Sequence, residues 1–139
     1  MEDLSALRKK IYTANTQRNT LLQNIMRAKP FIAAQVYERY KKCGNPNCKC
    51  QKGELHGPYL WIYQNKKGQK ILSTTVQKGK HLEAKELADN YKELLERRQK
   101  LRELDQKINE YLNVMESILE KEAKDYATKR HPGRPKKDR

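Results

Sequence analysis

Three cysteines fall within eight positions of the chain, Cys43, Cys48 and Cys50, and His56 follows six residues later. Cys48 and Cys50 are two apart and therefore share one side of an extended segment, while the turn-forming Gly44-Asn45-Pro46-Asn47 brings Cys43 back towards them. Structural zinc takes four nitrogen or sulfur ligands in a tetrahedron, so Cys43, Cys48, Cys50 and His56 form a candidate Zn2+ site. The spacing, Cys-x4-Cys-x-Cys-x5-His, is not one of the common finger spacings. A structural or redox thiol cluster is the alternative, and His56 is then a surface histidine at a strand entry. An odd number of cysteines, with no apolar leader ahead of them, points away from a disulfide framework.

The second chemistry is cationic. The chain of 139 residues has a net charge of +14, and its distribution is uneven: +3 over residues 1–28, +9 over 29–81, −3 over 82–126 and +5 over 127–139. Two basic segments flanking a mildly acidic one predict a polyanionic partner. Around the cysteines the candidate contacts are Arg39, Lys41, Lys42, Lys49, Lys52, Lys66, Lys67, Lys70, Lys78 and Lys80, interleaved with Trp61 and its neighbouring tyrosines. Such residues bind phosphates while a sheet approaches a groove or stacks on unpaired bases. The opposing reading is a solvated lysine-rich edge over an aromatic core. Duplex DNA is the expected partner, with RNA as an alternative and a coiled-coil scaffold for an acidic protein as another. Catalytic groupings are missing: carboxylates outside the helices are sparse, there is no glycine-rich phosphate loop, and the serines have no histidine nearby in sequence. An enzyme and a small-molecule substrate are therefore not expected.

These residues must be positioned by regular elements. Leu4, Leu7, Ile11, Ala14, Arg18, Leu21, Ile25 and Ala28 alternate three and four apart, the seam of a coiled coil that stops before Lys29-Pro30. A longer seam runs Leu87, Tyr91, Leu94, Arg98, Leu101, Asp105, Ile108, Leu112, Met115, Leu119, Glu122 and Tyr126. At about 45 residues that helix would be roughly 65–70 Å long and must find a partner helix. The first helix covers only part of it in an antiparallel hairpin. The remainder is expected to pair with a second copy, as a homodimer, or to pack within the chain. Arg98 and Asp105 interrupt this seam, where polar residues fix register.

Between the helices the period becomes two. In Pro58–Gln64, Tyr59, Trp61 and Tyr63 fall on one face and Leu60 and Ile62 on the other. Asn65–Gly68 is a turn, and Gln69–Val76 the return strand. Two strands alone are marginal, so Gln35–Lys41 is a candidate third, although residues 31–36 could extend a short helix. The expected fold class is α+β, a small three-stranded antiparallel sheet with a cysteine-rich loop, flanked by the two helices. Its segments are residues 1–29, 30–79, 80–127 and a basic tail, 128–139. No stretch reaches the roughly 18 apolar residues of a membrane span, so a soluble, cytoplasmic and, if DNA-binding, nucleoid-associated protein is expected.

The run from Val36 through Cys43-Gly44 and Cys48-Lys49-Cys50, followed by His56-Gly57-Pro58-Tyr59, resembles a family of short basic prokaryotic proteins of unknown function marked by CGxxxCxC and then HGPY. The resemblance covers about residues 36–95, implies membership and no activity, and groups the four candidate ligands in one motif. The sheet-then-helix plan is also similar to that of the arm-binding domains of phage-type integrases. In the tail, Gly133-Arg134-Pro135-Lys136-Lys137 resembles the Gly-Arg-Pro core of AT-hooks, with Arg130 just upstream and Pro132 where a full hook has its first core arginine. That resemblance implies that Arg134 lies along the floor of a narrow A·T minor groove, with Arg130, Lys136 and Lys137 as further nucleic-acid contacts; a solubilising tail is the alternative.

Overall fold

A computed structural model describes residues 3–129. The element order is α1 (Leu4–Met26), β1 (Gln35–Lys41), a short 3-10 turn (Lys49–Lys52), β2 (His56–Gln64), β3 (Leu72–Thr75) and α2 (His81–Leu119). The fold is α+β, as expected. The contacts attributed to Arg130, Arg134, Lys136 and Lys137 lie outside the described residues.

The Asp3 carboxylate starts α1 by accepting the Ser5 backbone N–H at 3.0 Å. The seam residues Leu7 and Ala14 are buried, while Leu4, Ile11, Arg18, Leu21 and Ile25 are half-buried. The helix stops at Met26, one turn before Pro30, and the backbone is already non-helical at Arg27. The chain then reverses, and α1 packs antiparallel on α2. Arg18 pairs with Asp105, and the Lys10 ammonium sits 5.8 Å from the centre of the Tyr111 ring.

The two polar breaks that pair are thus Arg18 and Asp105, one from each seam. Arg98 is exposed, and its place on the inner face is taken by Arg97, because 3.6 residues per turn drifts off a strict heptad. The same pairing puts Leu4 opposite about Leu119, where α2 ends. Beyond it Glu120 is extended, so Glu122 and Tyr126 do not continue the seam. The long helix has 39 residues and stops where its partner does.

The first part of α2 carries the sheet. Phe31 stacks on Tyr91 with ring centres 5.3 Å apart, Asn90 donates to the Pro30 carbonyl at 2.9 Å, and Ile32 N–H donates to the Leu87 carbonyl at 3.2 Å. The length of α2 expected to lack an intrachain partner is therefore occupied by the connection and the sheet.

The sheet is antiparallel in the order β1-β2-β3. Residues 31–34 are not helical, and β1 begins at Gln35. Leu60 is 5% exposed on the face turned to α2, near His81 and Lys85, and the Glu38–Lys85 ion pair at 3.4 Å spans the same junction. Strand β3 is shorter than expected. A turn closed by Gln69 N–H on the Lys66 carbonyl at 3.1 Å consumes its first residues, and Val76 N–H still reaches the Leu60 carbonyl at 2.9 Å.

Candidate metal centre and the open face of the sheet

The cysteine loop joins the end of β1 to the start of β2. Its tip is an Asx turn: the Asn45 side-chain oxygen accepts the Asn47 N–H at 3.0 Å, and its carbonyl accepts the Cys48 N–H at 3.2 Å. The 3-10 turn then carries Cys50 inward until it is fully buried. Gln51 ties the returning chain down by donating to the Cys43 carbonyl at 3.2 Å. His56 opens β2 opposite Lys41. Next to it Gly57 has φ +135°, and a Cβ there would lie 2.8 Å from the Arg39 carbonyl oxygen. Only glycine lets β2 approach β1 this closely, and that approach aims His56 at the loop.

The four candidate ligands converge. Cys43 and Cys50 sulfurs are 3.5 Å apart, Cys48 Sγ is 3.1 Å from His56 Nε2, and all four ligand atoms lie within 4.8 Å of one another. Tetrahedral zinc, with Zn–S near 2.3 Å and Zn–N near 2.0 Å, separates its ligands by about 3.5–3.8 Å. The residues fit such an ion, and a sulfur separation of 3.5 Å is far beyond a disulfide bond. The donor chemistry also fits. The backbone N–H of Cys50, then the thiols of Cys43 and Cys50, draw the Cys48 thiol down to about 6, so it is largely thiolate at neutral pH. Burial pushes the Cys50 thiol up. A bound cation offsets that cost by replacing its proton.

The other face of the sheet, away from α2, holds the remaining chemistry. Register places Tyr37 opposite Trp61 and Trp61 opposite Thr75, with Arg39 opposite Tyr59 and Tyr63 opposite Ser73. Tyr37 and Tyr59 are 38% and 42% exposed, whereas the alternate residue Leu60 forms the core. Trp61 and Tyr63 are half-buried, and the fully buried side chain of β2 is the aliphatic Leu60 on the opposite face. The Arg39 guanidinium lies 4.8 Å and the Lys41 ammonium 4.6 Å from the Trp61 ring centre. The Trp61 indole N–H donates to Ser73 Oγ at 2.9 Å, which fixes the ring.

The other sequence-selected cations are exposed, and six of them fall at the two ends of this face. Lys42, Lys49 and Lys52 flank the cysteine loop; Lys66, Lys67 and Lys70 occupy the β2–β3 turn. Lys78 and Lys80 lie in the turn entering α2, apart from both groups. Tyr37 is the residue of this face that sequence alone did not single out. Its signal was the alternation of Tyr37, Arg39 and Lys41 in a segment whose strand character was open. A groove of about 480 Å³ lies elsewhere, between α1 and α2 beside Thr16, Leu21 and Leu104. No helix among the described residues is long and apolar enough to cross a membrane.

A small antiparallel sheet closed at one end by a Cys3His cluster and mounted on a helical hairpin thus defines an α+β protein with a candidate metal centre. By sequence the chain belongs to the family of the domain of unknown function DUF6788, whose profile matches residues 8–87. That match takes in most of α1, the whole sheet and loop, and the first two turns of α2. Searches of curated proteins and of solved structures each find no match.

Proposed function

We propose that the chain is a nucleic-acid-binding protein in which a structural zinc ion, held by Cys43, Cys48, Cys50 and His56, braces a small sheet that presents the contact surface. The observation that carries this reading is the composition of the open face. It exposes the rings of Tyr37 and Tyr59 and layers Arg39 and Lys41 over the half-buried ring of Trp61. The net charge of +9 over residues 29–81 supports it, because cations at both ends of the face can neutralise phosphates and release counterions. Zinc suits the donor set, since three thiolates and one imidazole are borderline-soft ligands in a tetrahedral arrangement. A fluorescence-anisotropy titration against labelled DNA and RNA, repeated from 50 to 200 mM salt, tests the reading. Affinity that falls steeply with salt supports it, and no binding to any nucleic acid at 50 mM defeats it.

A second copy of the chain is the other partner we propose. Val114 and Ile118 are 41% and 40% exposed on α2, in line with Leu104 and Tyr111 along one flank of the hairpin. Two hairpins laid flank to flank would complete a four-helix arrangement around these residues.

A further inference from the structure

The nucleic-acid reading leaves open which form is bound, and the side chains of the sheet distinguish them. We infer that the open face binds unpaired bases of a single strand, by stacking on Trp61 and the tyrosines around it; this rests on the proposal that the chain binds nucleic acid.

A duplex presents phosphates and base edges to a protein, and its base faces are covered by their neighbours in the stack. A surface built for a duplex relies on cations and hydrogen-bonding groups, and a row of flat rings across a sheet adds little to it. Here the rings are the central feature. Tyr37 and Trp61 stand directly opposite each other, with Tyr59 and Tyr63 two residues to either side of Trp61 on the same strand. The sheet-to-helix contacts through Leu60 and Glu38 engage the other face, so these rings are not what fastens the sheet to α2.

The centre of the platform is preorganised. Hydrogen bonding to Ser73 at 2.9 Å holds the indole of Trp61, and Arg39 and Lys41 hold their charges within 5 Å of its centre. A base docking there meets the planar Arg39 guanidinium, layered over the half-buried Trp61 ring, on which it can stack or which can hold a phosphate, with the exposed rings of Tyr37 and Tyr59 alongside. From Gln35 to Lys41 the face is about 20 Å long, at 3.3–3.4 Å per residue, which suits about two or three splayed bases. The lysines of the cysteine loop at one end and of the β2–β3 turn at the other continue the track for the backbone.

This departs from the duplex DNA expected from charge alone, and the reason is which side of β2 is buried. Had the aromatic side faced α2, only the lysines would remain outside, and they read any phosphate backbone. With the aliphatic side inward, the stacking groups are outside.

The chain has one tryptophan, so its fluorescence reports this site directly. The zinc-loaded full chain is titrated with 12-nucleotide oligo-dT, oligo-rU and a mixed-sequence DNA duplex at one salt concentration, following both tryptophan emission and the anisotropy of labelled strands. Both single strands are expected to quench Trp61 and to bind at least tenfold tighter than the duplex. Trp61→Ala should weaken single-strand binding about tenfold or more, with duplex binding nearly unchanged, and Trp61→Phe should restore most of the loss. Duplex binding as tight as single-strand binding, without quenching of the wild-type tryptophan, overturns the inference and leaves nucleic-acid binding standing. The absence of binding to all three overturns both. The wild-type quenching measurement decides the matter even if Trp61→Ala fails to fold. The two single-strand arms separate a DNA-preferring from an RNA-preferring platform.

Discussion

Removing the zinc ion we propose at Cys43, Cys48, Cys50 and His56 should open the sheet and spare the helical hairpin. The cluster closes a loop of 14 residues, from Cys43 to His56. A crosslink over a loop of that size stabilises by about 3 kcal/mol in the chain-entropy account. Within the strands only Leu60 is a buried apolar side chain, and its burial contributes about 1.5–3 kcal/mol. The crosslink is therefore as large as the strand core itself, and its loss should raise the open population of the sheet by about 100-fold. By contrast, Leu7, Ala14 and the Arg18–Asp105 pair make no contact with the cluster. Hydrogen exchange followed by mass spectrometry, with and without a strong chelator, reads both regions at once. Amides of residues 36–40 and 59–63 should exchange about 100-fold faster without metal, while those of residues 7–25 and 97–115 stay as they were. Unchanged strand protection, or equal acceleration in the helices, would refute the independence of the two parts.

Three further outcomes follow from the same geometry. In metal-free protein, alkylation of Cys48 should rise as pH increases through about 6, ahead of Cys50, whose thiol burial pushes up; the lowered Cys48 value stabilises the apo loop increasingly as pH climbs from about 6 towards the ordinary 9, and that contribution disappears below 6. Peptide-resolved iodoacetamide labelling across pH 4–9 checks both statements, and equal labelling of the two thiols at every pH would contradict them. Gly57→Ala forces a side chain against the Arg39 carbonyl at a φ of +135°, so it should destabilise the sheet by about 1–3 kcal/mol and weaken zinc binding about tenfold, read by thermal melts and competition with a colorimetric chelator. Introducing lysine at both Val114 and Ile118 should convert a dimer to monomer in sedimentation velocity without loss of helix by circular dichroism.

Local spacing made the cysteine cluster legible, because Cys43 to His56 are close along the chain and a turn of Gly, Asn and Pro can fold only a short way. The strand alternation in Pro58–Gln64 was legible for the same reason. The burial side of β2 was not, since tyrosine and tryptophan on one side and leucine and isoleucine on the other are both acceptable cores, and the choice is made by Ala84 and Leu87 of α2, more than 20 residues away. The Arg18–Asp105 pair was visible as two separate polar breaks, but joining them requires the antiparallel offset that only the folded hairpin supplies. The end of α2 at Leu119 has the same origin: heptad spacing continues to Tyr126, and the partner surface does not.

The account stands or falls on whether nucleic acid occupies the open face of the sheet. Ultraviolet crosslinking in cells, followed by digestion and mass spectrometry of the nucleotide-modified peptides, tests this most directly. Adducts are expected on β1 and β2, at Tyr37, Tyr59 or Trp61. No adducts at all, or adducts confined to α1 and α2, would contradict it.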